Sequence, residues 1–338
     1  ILKRVQDDNK SEYLDRSVWT VGNIGLPALD VLDKIRPDDA VCYEMSSFQL
    51  WDLKKSPHIA VLTIIEPDHL NVHKDFAEYV AAKTNIVKFQ TAGDFVIYNA
   101  DDAEIRRMAA QSKGCKVAYS AKVMPDLIKQ NLRLPGAHNQ MDALAATLAA
   151  TAFCRPELFK NNADAAEILK QVQADGELIA AIARALQNFH GLPHRLQFAG
   201  EKRGVKYFDD SFATAPGAAI TALKAFPGAV KSIILGGSDK GADFTELAKA
   251  VSKAKMRKVY LIGQIGRKIG AAITKFAPDV NAEYLPEKNL AKIVQQIAGE
   301  SQPGDVVILS PAAASFDMFK NYYDRGEQFL AAVKALPE

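Results

Sequence analysis

The stretch VKYFDDSFATAPGAAITALKAFPGAVKSIILGG (residues 205–237) reads as strand, helix, strand. VKYFDD is an apolar run with an acidic end, Pro216 opens a helix, and SIILGG is a continuous apolar run closed by glycines. Proline suits the first helical turn, where its missing N–H costs nothing. A strand buried on both faces needs an unbroken apolar run, whereas a half-solvated one alternates. Two more such runs follow, VYLIG (259–263) and DVVILS (305–310), with helical stretches between them, one starting at Phe244. Strands that recur with helices between them specify a doubly wound α/β unit with a mainly parallel sheet.

The same alternation extends upstream. Residues 17–21 read as a strand, GNIGLP (22–27) as a turn and 28–35 as a helix. A strand over 40–43 ends at Glu44 and the pair Ser46, Ser47, and IAVLTII (59–65) is a buried strand that runs into EPDHLNVH. Residues 76–89 have helical spacing, 95–98 form a strand, 141–153 an alanine-rich helix, and 164–186 are mostly helical. The pattern breaks at GLPHR (191–195), where glycine and proline make a hinge. At roughly 150 residues per domain, 338 residues suggest two, and we divide the chain into 1–190 and 191–338. The opening ILKRVQDDNK reads like the tail of a helix, so the sequence is expected to start inside a longer fold.

Composition excludes several classes. Hydrophobic residues at 48% and charged residues at 24% leave enough apolar surface for two cores and rule out a disordered chain. A formal net charge of +2 is too balanced for binding nucleic acid through bulk attraction. Three scattered cysteines, Cys42, Cys115 and Cys154, form no CxxC pair and fit a reducing compartment. The most apolar stretch, 144–154, contains Thr147 and Thr151 and falls well short of the roughly 20 residues of a membrane helix. No signal peptide is read at the start.

Ligands of α/β sheets bind beyond the carboxyl ends of the strands. Those positions here carry Glu44, then Asp68 and His69, then Asp209 and Asp210, then Asp239 and Lys240. Any one of them reads equally as a solvated loop residue or a helix cap; four strand ends together point to a site. Glu44, His69 and Lys83 form the sharpest group. A glutamate suits Mg²⁺, whereas a histidine also reads as a core or capping residue and a helical lysine as a snorkelling one. LGGSDKG (235–241) offers backbone amides and Lys240 to an anion, although a tight turn needs the same glycines. No GxxxxGK[ST] phosphate loop occurs, and the glycines of IGQIGRKIG (262–270) are misspaced for a dinucleotide fingerprint.

In chain order, ten stretches together resemble the Mur ligase family: GNIGLP at 22, EMSSFQL at 44, DHLNVH at 68, AAK at 81, NADD at 99, GAHN at 136, GLPHR at 191, DDSFAT at 209, LGGSDKGADF at 235 and LSPAAASFDMFKNYYDRGEQF at 309. The last of these and GNIGLP favour the branch that adds D-glutamate. The resemblance implies a three-domain protein. Residues 1–190 would be most of the central ATPase domain and 191–338 the Rossmann-like C-terminal domain, without the N-terminal domain and phosphate loop. It implies a cytoplasmic, monomeric ligase of peptidoglycan synthesis that uses ATP and Mg²⁺. That ligase adds D-glutamate to UDP-N-acetylmuramoyl-L-alanine through an acyl phosphate and has no nucleic-acid or membrane partner. Residues 1–338 by themselves would then be inactive.

The resemblance also implies roles. Glu44, His69 and Lys83 would surround Mg²⁺, with Lys83 carbamylated into an anion. Asn23, Ser46 and His69 would face the muramoyl substrate and its phosphates. Asn139, Arg195 and Asp210 would bind the nucleotide. Thr214, Lys240, Ser315 and the backbone at Tyr322 would hold D-glutamate. Three positions depart from the family pattern. Phe212 stands where many members carry the lysine of DSKAT, Asp142 stands at the second asparagine of HNxxN, and Tyr322 replaces a phenylalanine. Rival readings are another Mur ligase or a folylpolyglutamate synthetase, a non-catalytic nucleotide binder, and a dinucleotide oxidoreductase.

Overall fold

The computed structural model describes residues 17–23, 26–66, 72–159 and 164–338. The chain divides into two compact units, residues 1–133 with 140–189, and residues 134–139 with 190–338. Elements of the first run in the order β1 (Val18–Gly22), β2 (Ala40–Glu44), α1 (Ser47–Leu50), β3 (Ile59–Leu62), α2 (Phe76–Lys88), β4 (Phe95–Asn99), α3 (Ala103–Ala110), β5 (Cys115–Tyr119), α4 (Asp126–Asn131), α5 (Ala137–Cys154), α6 (Ala165–Ala174) and α7 (Gly176–Asn188). The first three residues of α5 lie within the second unit's segment. That unit continues with β6 (Gln197–Lys202), β7 (Val205–Asp209), α8 (Pro216–Lys224), β8 (Lys231–Gly236), α9 (Thr245–Lys253), β9 (Met256–Ile262), α10 (Gly266–Phe276), β10 (Ala282–Tyr284), α11 (Leu290–Glu300), β11 (Val306–Leu309) and α12 (Tyr322–Lys334).

In the first unit β1 and β2 form a parallel pair, and β3, β4 and β5 form a separate parallel sheet in that order. Successive residues of a strand point to opposite faces, and both faces of the three-stranded sheet are covered. Val96 packs with Leu62, Tyr79, Ile105 and Met108, while its neighbours Phe95 and Ile97 pack with Val117, Leu144, Leu148 and Ile168. Burial on both sides is why β3 and β4 read as apolar runs, whereas β5, half-buried in part and carrying Lys116, does not.

Three local expectations differ from the structure. Residues 28–35 form two short 3₁₀ turns, Ala28–Asp30 and Leu32–Lys34, rather than one helix. Val31 is buried and Ile35 half-buried, but Leu29 and Leu32 stay 82% and 63% exposed, so only a narrow apolar stripe offsets the cost of nucleating an α-helix. The run 59–65 leaves the ladder after Leu62, because Thr63, Ile64 and Ile65 line a cavity instead of pairing. The helical stretch 164–186 is broken at Asp175, which ends α6 and caps α7 by accepting Leu178 N at 3.0 Å.

The second unit is one six-stranded sheet in the order β10-β9-β8-β11-β7-β6. Every pairing is parallel except that of β6 with β7, which puts an antiparallel strand on one edge. Ile233, Leu235, Val259, Leu261 and Ile308 face α8, α9 and α10. Their neighbours Ile234, Tyr260, Ile262, Val307 and Leu309 face α11 and α12. This is the doubly wound arrangement that the four apolar runs specify, and it gathers the ends of β7, β8, β9 and β11 along one edge. No helix among the described residues is long and apolar enough to cross a membrane.

Ile308 lies in a central strand and is wholly buried. Ile308→Ala is expected to lower unfolding stability by about 2–5 kcal/mol, through lost transfer energy plus the cavity left behind. Urea denaturation of the two proteins checks this.

Candidate functional site

Two clusters of strand-end residues emerge, one in each unit. In the first, the ladder of β1 and β2 sets Gly22 opposite Glu44, and Asn23 N donates to Glu44 O at 3.0 Å. Asn23 and Glu44 are therefore neighbours at the carboxyl ends of two parallel strands. Glu44 lines a cavity of about 240 Å³ with Tyr43, Met45, Thr63 and Lys83. Lys83 reaches it from α2, half-buried, with Nζ 5.2 Å from the centroid of the Tyr79 ring. Ser46 acts locally as the cap of α1, its Oγ accepting Gln49 N at 3.3 Å while its own N donates to Gln49 Oε1 at 2.9 Å. Asp68 and His69 lie outside the described residues, as do Ile24 and Gly25 of GNIGLP and the opening decapeptide.

Mg²⁺ takes oxygen ligands in octahedral geometry and is usually held by one or two carboxylates together with water and substrate phosphates. Among the described residues no group of three His, Cys, Asp or Glu side chains forms a ready-made cation cage. One carboxylate, Glu44, open to a cavity large enough for phosphate oxygens and water, is a donor set that fits this ion.

The second cluster follows β7. Asp209 and His194 are both buried, with His194 Nδ1 2.6 Å from Asp209 Oδ2. Ser211 N donates to Asp209 Oδ1 at 2.9 Å, and Ser211 Oγ donates to Tyr322 O at 2.7 Å. Arg325 is wholly buried and donates through Nε to Ser211 Oγ at 2.9 Å. Its Nη2 donates to Ser211 O at 2.8 Å and to Ala313 O at 3.1 Å. Gly326 makes this packing possible, because a Cβ there would lie 2.1 Å from His194 Nδ1.

Asp210 accepts Ser310 Oγ at 2.6 Å and Leu196 N at 3.2 Å. Burial nonetheless dominates and pushes its carboxyl up to about 7, the neighbouring Asp209 adding to the effect. Arg195 is exposed, and its guanidinium carbon stands 4.1 Å from the centroid of the Phe212 ring. Its neighbours His194 and Leu196 both have left-handed backbone, at φ +61° and +43°. Phe212 N donates to His194 O at 3.0 Å, and Asp210 holds Leu196 N, so this strained segment is fixed from outside.

The remaining candidates share the edge in part. Thr214 is half-buried just before α8, Ser315 is buried after β11, and Lys240 is exposed in the loop after β8. Tyr322 opens α12 and its carbonyl is taken by Ser211, which leaves its N–H, a first-turn amide without an intrahelical acceptor. Asn139 Nδ2 donates to Pro135 O at 2.6 Å at the start of α5, and Asp142 is exposed on the same helix.

Sequence reasoning missed His194, Asp209, Ser211 and Arg325 as a unit. Arg325 left a signal, since it occupies the helical stripe shared by Phe329, Ala332 and Val333, all buried. A charged residue on an apolar stripe has to be paired inside the fold.

Residues 19–150 match the Mur ligase middle domain and residues 194–313 the Mur ligase glutamate ligase domain. The chain is 32% identical over 95% of its length to UDP-N-acetylmuramoylalanine–D-glutamate ligase of Symbiobacterium thermophilum, covering 70% of that protein. The chain belongs to the Mur ligase family. Solved Mur ligases share its fold: MurF of Acinetobacter baumannii has a TM-score of 0.60 at 14% identity, over 94% of this chain and 76% of that one. MurF of Thermotoga maritima, in complex with ADP, has a TM-score of 0.57 at 16% identity, over 94% and 73%. Membership in the Mur ligases agrees with the order of the ten stretches along the sequence.

The raised carboxyl of Asp210 has a stability consequence. Between its usual 3.8 and about 7 the folded protein keeps a proton that the unfolded chain has lost, so stability falls as pH rises through that window. Asp210→Asn removes this contribution. The variant is expected to gain on the wild type between about pH 4 and pH 7, as read from urea midpoints across that range.

Proposed function

We propose that this protein is the ATP-dependent ligase that joins D-glutamate to UDP-N-acetylmuramoyl-L-alanine. What supports the reading most is the identity of 32% over 95% of the chain to a relative of that name. The site chemistry agrees with it: a carboxylate and a lysine on one cavity, and a stacked arginine and an exposed lysine at the edge of the second sheet.

The reaction transfers the γ-phosphoryl group of ATP to the alanyl carboxylate, giving ADP and an acyl phosphate. The D-glutamate amine then attacks the acyl carbon, the tetrahedral intermediate expels phosphate, and the new amide nitrogen loses its proton. Charge builds on phosphoryl oxygens throughout, so catalysis rests on positioned cations and hydrogen-bond donors. Arg195, its guanidinium carbon 4.1 Å from the centre of the Phe212 ring, presents its forked donors to a phosphate. Lys240 pairs with a carboxylate of the amino acid, with Ser315, Thr214 and the Tyr322 N–H donating beside it. Asn139 and Asp210 serve the nucleotide, and Asn23 and Ser46 the muramoyl substrate. Glu44, His69 and a carbamylated Lys83 would hold Mg²⁺, which supplies positive charge to the phosphates when bound.

The same reading makes the protein a cytoplasmic monomer that acts on small molecules in cell-wall synthesis and so in cell shape and division. Its cysteines are free among the described residues, which suits a reducing compartment.

The test is phosphate release that requires both UDP-N-acetylmuramoyl-L-alanine and D-glutamate. It is measured on residues 1–338 alone and together with any natural sequence that adjoins them. The 338 residues alone are expected to be silent, because they contain no GxxxxGK[ST] loop to cradle the β- and γ-phosphates. In the active protein Lys83→Ala is expected to remove most turnover, and short carboxylates are expected to restore part of it by replacing the lost anion. Unchanged turnover would reject the carbamate role.

A further inference from the structure

Asp317 lies between β11 and α12, and none of the roles above uses it. Its carboxylate collects the loops that follow two other strands. Ser238 Oγ, after β8, donates to Oδ1 at 3.3 Å, and Gln264 N, after β9, donates to Oδ2 at 2.7 Å. Gln264 passes the constraint on, since its Oε1 accepts Asp239 N at 3.3 Å. Asp239 in turn accepts Gly241 N at 2.7 Å and pairs with Lys268 at 3.4 Å. Backbone bonds complete the clasp: Ser238 N donates to Ala314 O at 2.8 Å and Ile265 N to Gly237 O at 3.0 Å. The residues on both sides of Lys240 are thus fixed, and the loop that carries it is tied to the segment that carries Ser315.

Gly263 explains part of the glycine motif that fits no dinucleotide fingerprint. Its φ is +66°, and a Cβ there would lie 2.3 Å from Asp317 Oδ2. The glycine admits the carboxylate. Both oxygens of Asp317 already accept hydrogen bonds, which argues against a direct role on a substrate ammonium.

We propose that Asp317 is a positioning residue for the amino-acid subsite: through Ser238 and the Gln264–Asp239 link it holds Lys240 where an incoming acidic amino acid presents its carboxylate. This rests on the reading of Lys240 and Ser315 as ligands of D-glutamate. Two variants separate the possibilities. Asp317→Ala removes the clasp, whereas Gln264→Leu keeps the backbone donor to Asp317 and deletes only the link to Asp239.

The experiment titrates D-glutamate, and separately ADP, into isotope-labelled residues 1–338 and follows amide shifts together with hydrogen exchange at Gln264. Asp317→Ala is expected to weaken D-glutamate binding by about tenfold or more, the scale of a lost charged hydrogen bond, and to speed exchange at Gln264. Gln264→Leu is expected to weaken D-glutamate by roughly threefold, the scale of a neutral one, with ADP binding within about twofold of wild type in both variants. Should Asp317→Ala fail to fold, Gln264→Leu decides. D-glutamate binding that Gln264→Leu leaves unchanged, or losses shared equally by ADP, would overturn the assignment of Asp317 alone. A wild-type protein that takes up no D-glutamate would overturn the amino-acid reading of Lys240 and Ser315, and the assignment with it.

Discussion

Arg325 carries a guanidinium with no exposure to solvent, and the loops at the carboxyl edge of the second sheet are built around it. Taking such an ion out of water costs several kcal/mol, so the fold has to supply acceptors in its place. It supplies the hydroxyl and carbonyl of Ser211 and the carbonyl of Ala313, one loop following β7 and the other β11. Burial pulls the group down to about 10, with Asp317 and Asp209 opposing the shift, so it stays charged at neutral pH. From Ser211 the network continues to the Tyr322 carbonyl, and through Asp209 to His194. Moving any one of these loops would strand a buried charge. Rigidity at this edge is therefore a consequence of electrostatics as well as of packing.

That constraint explains which parts of the molecule could be read from its residues. The four inner strands of the second unit's sheet, β7, β8, β9 and β11, were legible because they are buried on both faces and so are largely apolar, whereas the half-buried edge strand β10 left no such run. β6 was not, because Gln197–Lys202 is a half-exposed edge strand of mixed character that pairs antiparallel with β7. Residues 28–35 misled because, of the apolar side chains that suggest a helical face, Leu29 and Leu32 stay exposed while Val31 is buried. At the site, Asp209 and Asp210 were visible as acidic residues at a strand end, and Arg195 through the family resemblance. The pairing of Asp209 with His194 was not, since what marks it is burial against Gly326 and Ser211, more than a hundred positions away in the case of Gly326. A contact of that range has no local pattern.

The two units solve the problem of displaying charge differently. In the first, Glu44 ends a strand of a two-stranded pair and faces an open cavity, with Lys83 delivered from a helix. A cation such as Mg²⁺ at a site of this kind completes its shell with oxygen ligands from water and phosphate. In the second, the candidate ligands stand beside carboxylates, those of Asp210 and Asp317, that already accept hydrogen bonds from hydroxyls and main-chain groups. Pre-satisfied anchors lower the reorganisation needed when a charged ligand binds, because only the outermost groups have to change partners.

Phe212 shows how that network tolerates a departure at one of its half-buried positions. A lysine there would bring a second cation close to Arg195, and like charges about 4 Å apart near a surface repel by a few kcal/mol unless an anion lies between them. Phenylalanine removes the repulsion and offers a ring face, an attraction of about 0.5–1 kcal/mol at an exposed site. The ring is itself braced edge-on by Tyr322, with centroids 5.0 Å apart, at the head of α12. Arg195 is therefore oriented by the fold itself, between a left-handed residue on each side and an aromatic ring against its guanidinium. The site presents one cation fewer than the lysine-bearing pattern, and the remaining one is pre-organised by the same helix that buries Arg325.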